Sequence, residues 1–86
     1  MSFRECDIVR VVQLGRIGCR NTEGSVPPEW AVGQEAIFDA YLNDGSVMVW
    51  LNEPQDGWQI WIFEEPDLEG TGKVALALPD DPGDAV

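Results

Sequence analysis

The order of apolar and polar residues along this chain predicts strands rather than helices. Residues 7–14 (DIVRVVQL) are crowded with β-branched side chains and stop at a glycine, which predicts a first strand. Residues 46–51 (SVMVWL) and 58–63 (WQIWIF) alternate bulky apolar side chains, and each follows an Asp-Gly pair, the dipeptide typical of hairpin turns. After an acidic turn over residues 64–70, residues 73–78 (KVALAL) are expected to close the sheet as a short strand.

Residues 36–42 (AIFDAYL) leave two interpretations open. Positions 36, 38, 40 and 42 alternate as a strand face, whereas positions 37, 40 and 41 fit a helical stripe. We favour a strand because Asn43, Asp44 and Gly45 follow directly as a hairpin turn. The expected fold class is therefore mostly β, a small barrel of about five strands, and the alternative is an α+β fold with a helix around residues 34–43.

The connection from the first strand to this segment is unusually long. Residues 15–33 are rich in glycine and proline and lack periodicity, which predicts a long first loop, and we expect Trp30 to pin this loop to the barrel. Loops of such length are uncommon in compact domains and often functional, so this segment is either a binding loop or contains a short element that the pattern does not reveal. Residues 79–86 are polar and acidic, so we expect a single domain over residues 1–78 followed by a disordered acidic tail.

Strand alternation also assigns side chains to the two faces of the central hairpin. We expect one face to fill the core and the other to serve as a docking surface, because each carries large apolar groups. Tryptophan is enriched where binding energy concentrates in protein interfaces. The predicted faces are Val47, Val49, Ile60 and Ile62 on one side and Met48, Trp50, Trp61 and Phe63 on the other.

The charge of the chain narrows the range of partners. Sixteen acidic residues stand against five basic ones, with no histidine, for a net charge of −11. Such a surface repels phosphates and acidic lipids, so we expect neither direct nucleic-acid binding nor membrane association. No apolar run approaches the roughly 20 residues of a membrane-spanning helix. The expected partner is a protein with a basic surface.

The sequence offers little material for catalysis. Without histidine, the commonest general base and metal ligand is missing, and neither a Ser-His nor a Cys-His nucleophile can be built. Cys6 and Cys19 are expected to be free thiols, because the N-terminus lacks the apolar run of a secretory signal. We therefore expect a non-enzymatic cytoplasmic protein without metal or cofactor.

The organisation resembles small bacterial and plastid SH3-like barrels. The resemblance covers residues 7–69 and rests on residues 7–11 (DIVRV), the long loop, residues 33–38 (GQEAIF), the Asp-Gly pair at 44–45, and residues 62–63 (IF) before 66–69 (PDLE). Similar proteins are the small SH3-like subunit of photosystem I, the variable chain of ferredoxin-thioredoxin reductase and the barrel domain of nitrile hydratase β chains. The resemblance implies a barrel that binds proteins or supports the assembly of an enzyme.

Two hypotheses of function follow. The first is a protein-interaction module or small accessory subunit that docks on a basic surface through exposed tryptophan and acidic side chains. Its predicted partner-binding residues are Trp50, Trp61, Glu53, Asp56, Glu64 and Glu65. The second is an acidic mimic of nucleic acid, such as a phage-encoded inhibitor of a DNA-binding nuclease, which requires carboxylates spaced along one face like phosphates.

Overall fold

The computed structural model describes residues 3–14, 20–21, 29–54 and 57–79. Its elements are six strands and two 3-10 turns, numbered in chain order. The strands are β1 (Asp7–Val11), β2 (Arg20–Asn21), β3 (Glu35–Tyr41), β4 (Val47–Glu53), β5 (Gly57–Phe63) and β6 (Leu68–Val74). The turns are η1 (Glu29–Ala31), before β3, and η2 (Glu65–Asp67), before β6.

The strands form one antiparallel sheet in the order β2-β5-β4-β3-β1-β6. The prediction of a mostly β protein is confirmed. Over the described residues the sheet stays open, because β2 and β6 lie at its two ends and do not pair with each other. The architecture is that of a small sheet compatible with a barrel-like fold.

The ambiguous segment is a strand, and the alternative of a helix around residues 34–43 is wrong. β3 pairs with β1 on one side and with β4 on the other. The hairpin to β4 turns where predicted: the Leu42 amide donates to the Ser46 carbonyl at 2.8 Å, and Gly45 has a φ of +90° that favours glycine. The Asp44 carboxylate accepts hydrogen bonds from the Ser46 hydroxyl and amide, which lower its pKa below the ordinary value.

The closing strand begins earlier than predicted. β6 starts at Leu68, inside the expected turn, and ends at Val74, so the prediction of a strand over residues 73–78 is wrong at both ends. Glycines at 70 and 72 resemble strand breakers in the sequence, but here they lie in a strand whose pairing with β1 is interrupted by a bulge. Gly72 has a φ of +82°, and the Thr71 hydroxyl donates to the Ile8 carbonyl at 2.7 Å beside it.

The core lies on one face of this sheet. Its large side chains are the fully buried Phe63, Leu51, Val9, Val11, Val47 and Val49, and Phe38, Trp61, Leu68 and the small Ala31 and Ala36 complete the cluster. Several predictions lie outside the described residues: the structure of most of the long loop, the state of Cys19, and the tail over residues 80–86.

Candidate functional site

The register of β4 and β5 decides which tryptophans share a face. Val49 lies opposite Trp61, and Trp50 lies opposite Ile60. Directly opposed residues of an antiparallel pair point to the same side, so Trp50 and Trp61 lie on opposite faces. The predicted grouping of Met48 and Trp50 with Trp61 and Phe63 is therefore wrong by one residue of register.

Neither of these two tryptophans is exposed, contrary to the prediction. The Trp61 side chain lies in the core with 5% exposure, and its indole Nε1 donates to Glu53 Oε2 at 2.6 Å. Trp50 is 7% exposed on the other face, and its Nε1 donates to Asp39 Oδ2 at 3.0 Å. A buried indole needs an acceptor for its N–H, and each finds a carboxylate. Both tryptophans therefore stabilise the fold and are not available as exposed binding residues.

The predicted acidic residues do not form one patch. Glu53 pairs with Gly57 at the start of β5, whereas Glu64 and Glu65 follow its last residue, Phe63. A seven-residue strand separates these positions by about 20 Å. Asp56 lies outside the described residues.

The acids around η2 hold the turn in place. Asp67 is 1% exposed, and its carboxylate accepts hydrogen bonds from Gln13 Nε2 at 3.1 Å and from the Glu64 amide at 3.2 Å. Glu65 Oε2 accepts from the Tyr41 hydroxyl at 3.1 Å. These contacts fasten η2 to the segment after β1 and to the end of β3.

The exposed tryptophan is Trp30, which the sequence pattern places in the long loop and not on a binding surface. It stands on η1 with 39% exposure, while its neighbour Ala31 is fully buried and anchors the turn in the core. Two further apolar side chains are exposed close to this turn: Val32, two residues after Trp30, and Val12, the residue after β1. The Gly33 amide donates to the Val11 carbonyl at 2.7 Å, which fixes the segment after η1 against the end of β1.

Two carboxylates lie at the same end of the sheet as Trp30. Glu29 precedes it in η1 and is exposed. Glu53 ends β4, two positions beyond Leu51, whose partner Ala36 is the second residue of β3, the strand that follows η1. Within the described residues neither carboxylate forms an ion pair. We call Val12, Glu29, Trp30, Val32 and Glu53 the η1 surface.

Two acidic residues on β3 and β6 differ from those of the η1 surface, because they form ion pairs with basic side chains. Glu35 pairs with Lys73 at 2.9 Å and with Arg10 at 3.4 Å, and Arg10 also approaches Glu69 at 3.8 Å. The hydrogen bonds from Lys73 are the largest cause that lowers the pKa of Glu35 below its ordinary value. This set of two acids and two bases, the β6 ion cluster, is balanced in charge.

The described residues hold no group of three acidic or cysteine side chains arranged to bind a metal ion. Neither described helical turn has the length or apolar character of a membrane-spanning helix. No family model, curated protein or solved structure matches this chain. The η1 surface and the net negative charge of the chain are the features that point to a function.

Proposed function

We propose that this protein is a non-catalytic interaction module, or small accessory subunit, that docks on a basic protein through the η1 surface. The observation that carries the proposal is the exposure of Trp30 beside Glu29, a carboxylate that forms no ion pair within the described residues. Tryptophan supplies much of the binding energy in many interfaces, and uncompensated carboxylates select and steer basic partners.

Three features support a preformed site. The backbone after η1 is hydrogen-bonded to β1, the buried Ala31 anchors η1, and the Val12 amide donates to the Asp67 carbonyl of η2 at 2.8 Å. A surface held in this way loses little conformational entropy when a partner binds. The order of the strands, the long connection after β1 and the turn before β6 also support the SH3-like resemblance, whose members bind or assemble with proteins.

The nucleic-acid mimic is not our proposal, because no described feature favours it. The described carboxylates are distributed over β1, η1, β3, β4, η2, β6 and the turns between them, and Glu35 and Glu69 are paired with bases. A phosphate mimic needs unpaired carboxylates in a row along one face.

Affinity capture from the native host tests the proposal with matched variants. Trp30→Ser is expected to lower recovery of the partner by roughly 30-fold, the effect of losing about 2 kcal/mol at a hot spot. Leu42→Ser is the control, because Leu42 is exposed to a similar degree on the β3–β4 hairpin. Equal recovery with both variants would refute the assignment of the site.

The electrostatic part of the proposal has its own test. Recovery is expected to fall as salt is raised, and Glu29→Gln should flatten this dependence because it removes one of the attracting charges. Glu5→Gln, which removes an exposed charge near the N-terminus, is the control. A partner whose capture is indifferent to salt and to Glu29→Gln would show that its recognition is not electrostatic.

A further inference from the structure

The outer edge of the sheet carries a second, independent feature. β6 pairs with β1 on one side, and no described strand pairs with its other side. An edge strand presents backbone N–H and C=O groups that another strand can pair with. Val74, at the end of β6, is 66% exposed, and Leu76 beyond it is fully exposed. This edge therefore offers both backbone groups and apolar side chains.

The sequence of β6 is complementary to a second copy of itself that runs in the opposite direction. Its residues are Leu68, Glu69, Gly70, Thr71, Gly72, Lys73 and Val74, a palindrome of chemical types centred on Thr71. Two copies paired antiparallel about Thr71 place Glu69 of each copy opposite Lys73 of the other. The same register places Leu68 opposite Val74. Opposite charges facing each other across antiparallel strands stabilise the pair.

Charge also favours this edge over other surfaces for contact between copies. A net charge of −11 on each copy opposes self-association. The β6 ion cluster is locally neutral, because Arg10 and Lys73 balance Glu35 and Glu69. A second copy that approaches along β6 therefore meets little local repulsion, and at physiological ionic strength a Debye length of about 8 Å screens the more distant charges.

We propose that the protein forms a two-fold symmetric dimer in which the β6 strands of two copies pair antiparallel about Thr71. A two-fold interface requires a surface that is complementary to itself, which the palindrome supplies. The bulge at Thr71 and Gly72 lies at the centre of the contact, and the Lys73 amide is turned inward there to the Thr71 hydroxyl at 3.2 Å. The backbone pairing therefore comes from the residues on either side of the bulge.

Sedimentation equilibrium of the full chain at physiological ionic strength tests the dimer with charge variants. Lys73→Glu places acids opposite acids, and Glu69→Lys places bases opposite bases, so each variant alone is expected to weaken the dimer at least tenfold. An equimolar mixture restores both opposite-charge pairs and should form a heterodimer. Urea denaturation of each variant verifies that it folds.

The outcomes are separable. Glu5→Lys makes the same charge change as Glu69→Lys on an exposed residue outside β6, and should leave the dimer at least as strong as in the natural chain. A natural chain that stays monomeric, a dimer that both single variants leave intact, or a mixture that stays monomeric would each overturn the proposal. None of these results bears on the η1 surface, which the capture experiments test separately.

Discussion

Trp61 and Trp30 are both tryptophans, but the fold buries one and leaves the other partly exposed. Trp61 lies in the core, and its indole N–H is bound to Glu53, whereas Trp30 stands on a short turn with more than a third of its surface exposed. The apolar area of Trp61 is already used in folding, and part of the area of Trp30 remains available to a partner. The surroundings of a tryptophan, rather than its presence in the sequence, therefore distinguish a core residue from a candidate binding residue.

The largest expected effect is on the free energy of unfolding, which should respond very differently to truncation of Trp61 and of Trp30. Trp61→Ala should lower the free energy of unfolding by about 3–5 kcal/mol, because it leaves a cavity in the core. Trp30→Ala should lower it clearly less, by about 1 kcal/mol, because more than a third of the side chain is already exposed. Urea denaturation measures both. Similar losses in the two variants would show that Trp30 also belongs to the core.

An intermediate effect concerns the acceptor of the Trp61 indole. Glu53→Leu removes that acceptor and leaves a buried N–H unsatisfied, so the free energy of unfolding should fall by about 1–3 kcal/mol. Glu53→Gln retains a carbonyl oxygen and should cost clearly less. The ranking is checked by urea denaturation, together with the NMR resonance of the indole N–H. Equal losses in the two variants would mean that the charge of Glu53, and not its acceptor oxygen, matters to the core.

The smallest effect is expected in the β6 ion cluster. The pKa of Glu35 is lower in the folded protein than its ordinary value. The ionised carboxylate therefore contributes its full stabilisation at pH values above the ordinary pKa. This contribution is lost as the pH falls through the lowered pKa. Glu35→Gln removes this titrating group and should therefore reduce the loss of stability at acidic pH. The effect should be small, because both ion pairs are exposed to solvent. Identical pH profiles for the variant and the natural chain would contradict the assignment.

Most of the fold is predictable from local pattern. The strands β1, β3, β4 and β5 follow from β-branched and apolar alternation, and Asp44 with Gly45 marks the hairpin. The start of β6 cannot be predicted in this way, because Gly70 and Gly72 are indistinguishable in sequence from turn glycines. Only the pairing with β1 and the bulge show that they lie in a strand.

The site is less predictable, for a physical reason. The face of Trp61 depends on the three residues that separate Glu53 from Gly57, and one residue more or less would turn every side chain of β5 to the other face. Alternation within a strand carries no information on this register. The exposure of Trp30 likewise depends on Ala31, which packs in the core and turns η1 outward, and not on any motif.

Site-specific photo-cross-linking in the native host tests the docking site most directly. A photoreactive residue is placed at Val32, within the η1 surface, and in a second variant at Asp44, which is exposed at the turn of the β3–β4 hairpin. We predict that Val32 cross-links to a partner protein with a basic surface and that Trp30→Ser abolishes the product, while Asp44 gives none. Cross-links of equal yield from both positions, or a product at Val32 that persists with Trp30→Ser, would contradict the assignment of the η1 surface as the docking site.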